Sequence, residues 1–263
     1  MKKFISIIYI VLSIFVLTSC SDELLDYENV LFEGELSFVL FEENKFSIIE
    51  YNGNDLFLDL PDTYKGIPIT KINSGVFENL LLTGVKIGKY IETIGDRAFY
   101  GNRLTSLTIP NSVTKIENYA FSSNLLTSLK LSNSLTTIGE GAFNQNKLVS
   151  ITIPDSLTEI SFEVFKENQL TSVTIPDSIT TIGTSAFSNN LLTSVTIPDS
   201  VTTIEPYAFS NNLLTSITIP ESVTKIGLNA FSNNLLTSVT ILGEESRFNS
   251  LWKIIGFPLD LKP

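Results

Sequence analysis

Few residues in this sequence could carry out chemistry. The 263 residues contain no His and a single Cys, Cys20. The chain therefore lacks a Ser-His-Asp or Cys-His nucleophile system, an imidazole metal ligand, an internal disulfide and a Cys-X-X-Cys pair. A net charge of −11 disfavours nucleic acid as a partner, because nucleic acid requires a basic surface. We expect neither enzymatic activity nor a cofactor.

Acidic residues recur at an interval of 22 residues and form what we call the acidic row: Asp155, Asp177, Asp199 and Glu221. If successive units stack about 5 Å apart, these carboxylates could bind divalent cations such as calcium. The alternative is a solvated turn residue after proline. We favour the turn, because no Gly-rich Asp repeat accompanies the row. A uniform row also lacks the cleft and asymmetry that glycoside hydrolysis needs.

Hydroxyl side chains recur at the same interval on the outward side of a predicted strand. Such columns could simply bond to neighbouring units and suit β propensity, which we favour. They could instead form a face for protein or glycan ligands. An ice-binding array is a third interpretation, which the serine column argues against. The candidate ligand-binding residues among them are Ser172, Thr174, Ser194, Thr196, Ser216 and Thr218.

A 22-residue repeat must position these side chains. Phenylalanine recurs at that interval at 77, 99, 121, 143, 165, 187, 209 and 231, and a fixed period of this length indicates a solenoid. In the copy that begins at Leu170, residues 172–175 alternate as in a half-buried strand that ends at Pro176. Residues 180–182 predict a second extended piece, and residues 185–187 a helical or 3-10 turn.

The array needs closing at both ends, since an open coil exposes strand edges and core. Residues 35–41, 46–51 and 55–60 read as strands of an N-terminal β cap. Residues 247–257 place apolar side chains at helical spacing and predict a C-terminal helical cap, with Trp252 over the last coil. We therefore expect a mainly β repeat solenoid, shaped as a rod or arc.

The unit that departs most from the consensus is residues 148–169. Phe162 there takes a position held elsewhere by polar residues, so we expect it to be exposed. With Tyr119 and Tyr207, one position along in other coils, it could form an aromatic binding patch. The alternative, which we favour, is drift of the repeat.

The first residues predict export. Lys2 and Lys3 precede an apolar run over 4–17, which is about 21 Å long as a helix and shorter than the ~30 Å membrane core. This pattern is typical of a signal peptide. Residues 17–20, Leu-Thr-Ser-Cys, resemble the bacterial lipobox, which implies lipidation of Cys20. The following Ser-Asp-Glu resembles the surface-export signal of Bacteroidota lipoproteins.

The repeats themselves, such as LTSVTIPDSITTIGTSAFSNNL from Leu170, resemble the BspA-like leucine-rich repeats of bacterial surface proteins. The resemblance covers roughly residues 46–241 and implies a leucine-rich-repeat solenoid. Many family units carry Cys shortly after the Ala-Phe pair, whereas this chain has Asn at 102, 124, 146, 168, 190, 212 and 234. A buried Asn ladder that bonds turn carbonyls fits this spacing.

These observations predict five regions: the signal peptide (1–19), the lipidated Cys and acidic tether (20–34), the N-terminal cap with a degenerate repeat (35–81), the repeat array (82–241) and the C-terminal cap (242–263). We expect a monomeric lipoprotein of the outer membrane, facing the exterior and held by its lipid alone. Its expected partner is a protein or a matrix or glycan macromolecule in adhesion or host interaction, an association that the family resemblance implies. The alternative is a structural spacer or assembly subunit of the envelope.

Overall fold

A computed structural model describes residues 30–42, 44–243, 248 and 252–261. The chain divides into two units, Met1–Val30 and Leu31–Pro263, and the fold below is that of the second. The predicted signal peptide (1–19), the lipidation site Cys20 and the adjoining export signal lie outside the described residues. Within the described part, no helix is long and apolar enough to cross a membrane.

The second unit is a β-solenoid of about nine turns. Its helical content among the described residues consists of α1 (Trp252–Ile255), a 3-10 turn (Leu259–Leu261) and the 3-10 residue Phe248. The strands in chain order are β1 (Val30–Glu33), β2 (Leu36–Glu42), β3 (Lys45–Tyr51), β4 (Phe57–Asp59), β5 (Thr63–Tyr64), β6 (Ile67–Ile72), β7 (Gly84–Lys86), β8 (Thr93–Ile94), β9 (Ser106–Thr108), β10 (Lys115–Ile116), β11 (Ser128–Lys130), β12 (Thr137–Ile138), β13 (Ser150–Thr152), β14 (Glu159–Ile160), β15 (Ser172–Thr174), β16 (Thr181–Ile182), β17 (Thr203–Ile204), β18 (Ser216–Ile219), β19 (Lys225–Ile226) and β20 (Ser238–Ile241).

The strands form two parallel columns, and a coil contributes one strand to each column except where residues 194–197 form no strand. The first column contains β4, β7, β9, β11, β13, β15, β18 and β20, and we call its exposed side the strand face. The second column contains β6, β8, β10, β12, β14, β16, β17 and β19. Partners lie one repeat apart, as in the pairing of Ser150 with Ser172. This confirms the predicted solenoid and the predicted strand at 172–174.

The turn after the second strand differs from the predicted helical or 3-10 turn. The amide of Ala186 donates to the Gly183 carbonyl at 3.2 Å, and that of Ser188 donates to the Ser185 carbonyl at 3.1 Å. Between these bonds Ser185 has φ of 56°, which is the left-handed region and interrupts a right-handed helix. The same position is left-handed in Tyr119, Gly141 and Tyr207.

A stack of phenylalanine rings fills the core. From Phe77 to Phe231, neighbouring ring centroids lie 5.0 to 6.0 Å apart, with interplanar angles of at most 15°. The widest spacing, 6.0 Å, separates Phe143 from Phe165. There Val164 takes the place of the alanine found in neighbouring units, and its added bulk accounts for the wider spacing.

The predicted asparagine ladder is confirmed, and both halves of each amide are used. Asn190 is 5% exposed. Its Oδ1 accepts from the Leu170 amide at 3.0 Å, and its Nδ2 donates to the carbonyls of Phe165 (2.9 Å) and Phe187 (3.1 Å). Equivalent bonds recur from Asn102 to Asn234. The ladder thus joins successive coils through buried, fully used polar groups.

At the N-terminal end, β2 and β3 form an antiparallel pair and β3 lies parallel to β6. At the other end α1 has four residues, fewer than the helix predicted over 247–257. Trp252 is 1% exposed and donates from Nε1 to the Pro258 carbonyl at 2.7 Å, and Phe257 stacks on Phe231 at 5.3 Å. The role of both ends as caps stays a prediction.

One junction between coils lacks both strand ladders. β11 does not pair with β13, and β12 does not pair with β14, so both columns are interrupted between residues 126–147 and 148–169. In other coils a backbone amide donates to the carbonyl that ends the preceding second-column strand, as from Gly183 to Ile160 at 2.7 Å. Here the Ser161 hydroxyl donates to the Ile138 carbonyl at 2.5 Å instead.

Candidate ligand-binding surface

The hydroxyl columns fall into two groups with different roles. In the second column, threonine hydroxyls bond to the preceding coil, as from Thr180 to the Thr158 carbonyl at 3.2 Å. On the strand face, the six candidate residues are all exposed: Ser172, Thr174, Ser194, Thr196, Ser216 and Thr218. Within the described part of the chain, their hydroxyls make no hydrogen bond to protein. The strand face therefore presents unused hydroxyls.

The strand face also opens into a groove. Residues 194–197 form no strand, although their sequence matches that of β15 and β20, so the ladder opens next to β18. The resulting groove of about 310 Å³ is lined by four of the candidate hydroxyl residues together with Asp199 and Leu242. We call it the C-terminal groove: Ser194, Thr196, Ser216, Thr218, Asp199 and Leu242. A second groove of about 270 Å³ lies where β11 and β13 separate, beside Lys130 and Thr152.

Openings of this size can accept a side chain or a sugar ring rather than a buried drug-sized ligand. Their walls combine hydroxyls with aliphatic side chains, such as the partly buried Val195 of the C-terminal groove. Hydroxyls both donate and accept hydrogen bonds. The grooves can therefore bind uncharged polar groups and peptide backbone.

The acidic row follows the strand face, one residue per coil, at the turn where the first strand ends. Its four members are exposed. Among the residues that the structure describes, no group of three or more His, Cys, Asp or Glu side chains could hold a metal ion. The row forms an extended acidic border of the strand face.

The three aromatic candidates lie in alternate coils. Phe162 is 38% exposed, as expected, and Tyr207 is 39% exposed. Tyr119 is half-buried, and its ring covers the position that a side chain at Gly141 would occupy. Partial burial raises the pKa of Tyr119 above 10.0, and the negative charges of Glu163 and Glu140 raise it further. Because one coil separates each ring from the next, these residues offer separate aromatic positions about 10 Å apart.

One feature was missed by the reasoning from sequence. In four Asn-Leu-Leu segments the first leucine remains exposed: Leu125 (36%) in an earlier coil, and Leu191 (43%), Leu213 (39%) and Leu235 (59%) in consecutive coils. We call the last three residues the leucine row. They occupy one position in three consecutive coils, and each precedes a leucine of the core. The signal was the doubled leucine, since only one of the two fits the apolar pattern of the unit.

Two strand columns, a phenylalanine stack and an asparagine ladder repeated every 22 residues define a leucine-rich-repeat protein. The sequence matches a family model described as BspA type leucine rich repeat region, in six copies, over residues 61–168 and 140–251. The chain therefore belongs to the BspA-type leucine-rich repeat family.

Solved structures with this fold come from several bacteria. A leucine rich cell surface protein from Faecalibacterium prausnitzii is 33% identical, with a TM-score of 0.58; the match covers 86% of this chain and 57% of that one. A leucine-rich repeat protein from Bacteroides ovatus is 23% identical over 81% of this chain and 76% of its own, with a TM-score of 0.54. The leucine-rich repeat protein of T. pallidum is 20% identical over 76% and 86%, with a TM-score of 0.56.

The last two structures show the fold alone. This chain spans little more than half of the Faecalibacterium protein, at 57%. No curated protein matches the chain. The matched family and the structural neighbours are repeat proteins and not enzyme families.

Proposed function

We propose that this protein is a non-enzymatic, lipid-anchored surface protein whose strand face binds a protein or another macromolecule. The observation that carries the proposal is the C-terminal groove, where unused hydroxyls surround an opening beside β18. The name of the Faecalibacterium relative, a cell surface protein, agrees with display outside the cell. Adhesion to host or matrix material is the corresponding biological role.

The anchor in this proposal is Cys20. It follows a short apolar run with two preceding lysines, and residues 17–20 resemble a lipobox. Two or more acyl chains give stable attachment, whereas a single chain gives reversible attachment. The acidic residues after Cys20 resemble an export signal, which supports display of the solenoid on the outer side of the outer membrane.

Binding is tested by capture of extracellular matrix proteins, mucins and bacterial envelope extracts on the immobilised full-length protein. Thr196→Trp fills the C-terminal groove with an indole, and Thr108→Trp places the same group on the strand face outside the C-terminal groove. We expect Thr196→Trp to reduce capture by about tenfold, as for the loss of an interface hot spot, and Thr108→Trp to leave it unchanged. Equal capture by both variants would contradict the proposal. Capture of the cell's own envelope components alone would favour the structural spacer.

The aromatic positions are tested separately. Phe162→Ala removes an exposed side chain from coil 148–169, so the thermal unfolding curve should not move. If Phe162 contributes to capture, the variant binds less of the same ligand. Unaltered capture would assign Phe162 to repeat drift.

Anchoring and orientation require experiments in cells. Growth in radiolabelled palmitate should label the natural chain and not Cys20→Ala. Protease added to intact cells should degrade a protein on the outer surface, whereas a protein that faces the periplasm survives until the cells are opened. Labelling of Cys20→Ala, or survival of the protein in intact cells, would contradict the respective part of the proposal.

A further inference from the structure

The leucine row lies on the border of the strand face where each coil enters its first strand. Its residues have backbone hydrogen bonds that the fold requires, such as the amide of Leu213 to the carbonyl of Leu192 at 2.9 Å. Their side chains, in contrast, contribute little to the core. Earlier coils tolerate Arg103, Lys147 and Gln169 at this position. The fold therefore does not require leucine there, and three in succession leave an apolar strip in water.

The acidic row marks the opposite border of the strand face, and the two rows share two coils, those of Leu191 with Asp199 and of Leu213 with Glu221. Asp177, Asp199 and Glu221 occupy a position that is Lys89, Asn111 and Asn133 in earlier coils. Cations are almost missing from this region: within residues 170–241 the only Lys or Arg is Lys225. Its ammonium group lies 2.7 Å from the Glu205 carboxylate. Asp177 and Asp199 therefore give this border a negative charge that no other Lys or Arg of residues 170–241 offsets.

The C-terminal groove lies between the two borders. From Leu191 to Asp199 the chain advances eight residues, which span at most about 26 Å when extended. Across this width the exposed side chains are leucine at one edge, serine and threonine in the middle, and aspartate at the other edge. Four coils at about 4.8 Å per step add a length of roughly 15 Å. The apolar, hydroxyl and negative features thus coincide in one strip.

We propose that this strip, the strand face of residues 170–242, docks a basic polypeptide segment that also carries apolar side chains. The inference rests on the proposed function and assigns it a partner chemistry. Apolar side chains of the segment cover the leucine row, Lys or Arg side chains meet the acidic row, and its backbone bonds to the groove hydroxyls. A strip of about 26 by 15 Å is smaller than the roughly 800 Å² per partner of a standard interface, so the occupant is a segment and not a globular face.

Three synthetic fluorescent peptides test the proposal by anisotropy against the full-length protein. The first combines leucine with lysine, the second replaces its lysines with glutamate, and the third replaces its leucines with serine. We expect the first to bind at least tenfold more tightly than either of the others. Increasing salt should weaken its binding, because part of the attraction is between exposed charges.

Matched variants locate the site. Leu213→Ser and Asp199→Asn should each weaken binding of the leucine-lysine peptide by about fivefold to tenfold. Leu228→Ser and Glu140→Gln make the same changes at exposed residues of the turn region, where Leu228 is 46% exposed, and should leave binding within twofold. Circular dichroism of each variant excludes unfolding as the cause.

Equal binding of the glutamate peptide, or equal losses in the turn variants, would overturn the proposal. The proposed function has a separate readout. If Thr196→Trp reduces macromolecule capture while Leu213→Ser and Asp199→Asn do not change it, the strand face binds a ligand of another chemistry and only the basic segment is refuted. If none of these variants changes capture, the proposed function fails as well.

Discussion

The asparagine ladder gives the sharpest test of how this solenoid is held together. In Asn190→Ala, the buried Leu170 amide loses its only acceptor, because Asn190 Oδ1 lies 3.0 Å away and the leucine is fully buried. The two phenylalanine carbonyls that Asn190 bonds each keep a second amide donor, from Asn168 and Asn212. An amide left without an acceptor costs about 1–3 kcal/mol, and the bonds to two carbonyls are also weakened. We therefore expect the free energy of unfolding to fall by about 2–4 kcal/mol.

Urea unfolding followed by far-UV circular dichroism measures this loss, and Trp252 fluorescence reports the C-terminal end in the same samples. Asn234→Ala, in a half-buried asparagine of the last coil, should cost less, about 1 kcal/mol. Asn133→Ala, at an exposed turn, is the matched control and should stay within about 0.5 kcal/mol of the natural chain. Asn190→Ala with a loss no larger than that of the control would refute the reasoning, since the Leu170 amide would then have found another partner.

Three further changes probe other parts of the molecule. Ser161→Ala removes the hydroxyl that bonds the Ile138 carbonyl, so urea titration should show a free energy of unfolding lower by about 1–2 kcal/mol. An unchanged value would mean that a backbone amide bonds this carbonyl in the variant. Gly141→Ala should lower the free energy of unfolding by about 1–2 kcal/mol because Gly141 has φ of 57°, and by a further amount because the new methyl group meets the Tyr119 ring. In a Tyr119→Ala background only the contribution from the ring should disappear. Asp62 accepts from the Lys89 amide at 2.8 Å, which lowers the pKa of its carboxyl below 3.8. Its stabilising effect is full above pH 3.8 and is lost as pH falls through the folded-state pKa, so Asp62→Asn should lower the urea midpoint at pH 7 and leave it unchanged at pH 2, whereas an equal deficit at both would exclude this cause.

Much of the fold can be predicted from the sequence because one 22-residue pattern is repeated, so the same prediction applies to every coil. The phenylalanine period fixes the coil length, and the alternation at 172–175 fixes the first strand. The asparagine ladder could also be predicted, because a buried amide at fixed spacing needs carbonyl and amide partners in adjacent coils. The turns were harder to predict, because Ser185 and Tyr207 adopt the left-handed backbone conformation, which their residue types do not favour.

The candidate surface could be predicted only in part. The hydroxyl positions of the strand face were identified, but the opening beside residues 194–197 was not, since the same sequence forms a strand in β15. The opening depends on the spacing between neighbouring coils, and the sequence pattern of a single repeat does not determine that spacing. The leucine row was overlooked for a related reason, because a leucine in a leucine-rich unit is readily assigned to the core.

The junction between residues 126–147 and 148–169 has a mechanical consequence. A pull along the axis loads the junctions between coils in series, so the weakest one opens first. At this junction both strand ladders are interrupted, and the Ser161 hydroxyl bonds the Ile138 carbonyl at 2.5 Å where other coils use a backbone amide. Each coil that unravels would release at most about 75 Å of chain. A solenoid fixed at one end and held at the other would therefore yield first in its middle, and the released slack would relieve the tension on the attachment while the coils on either side stay folded.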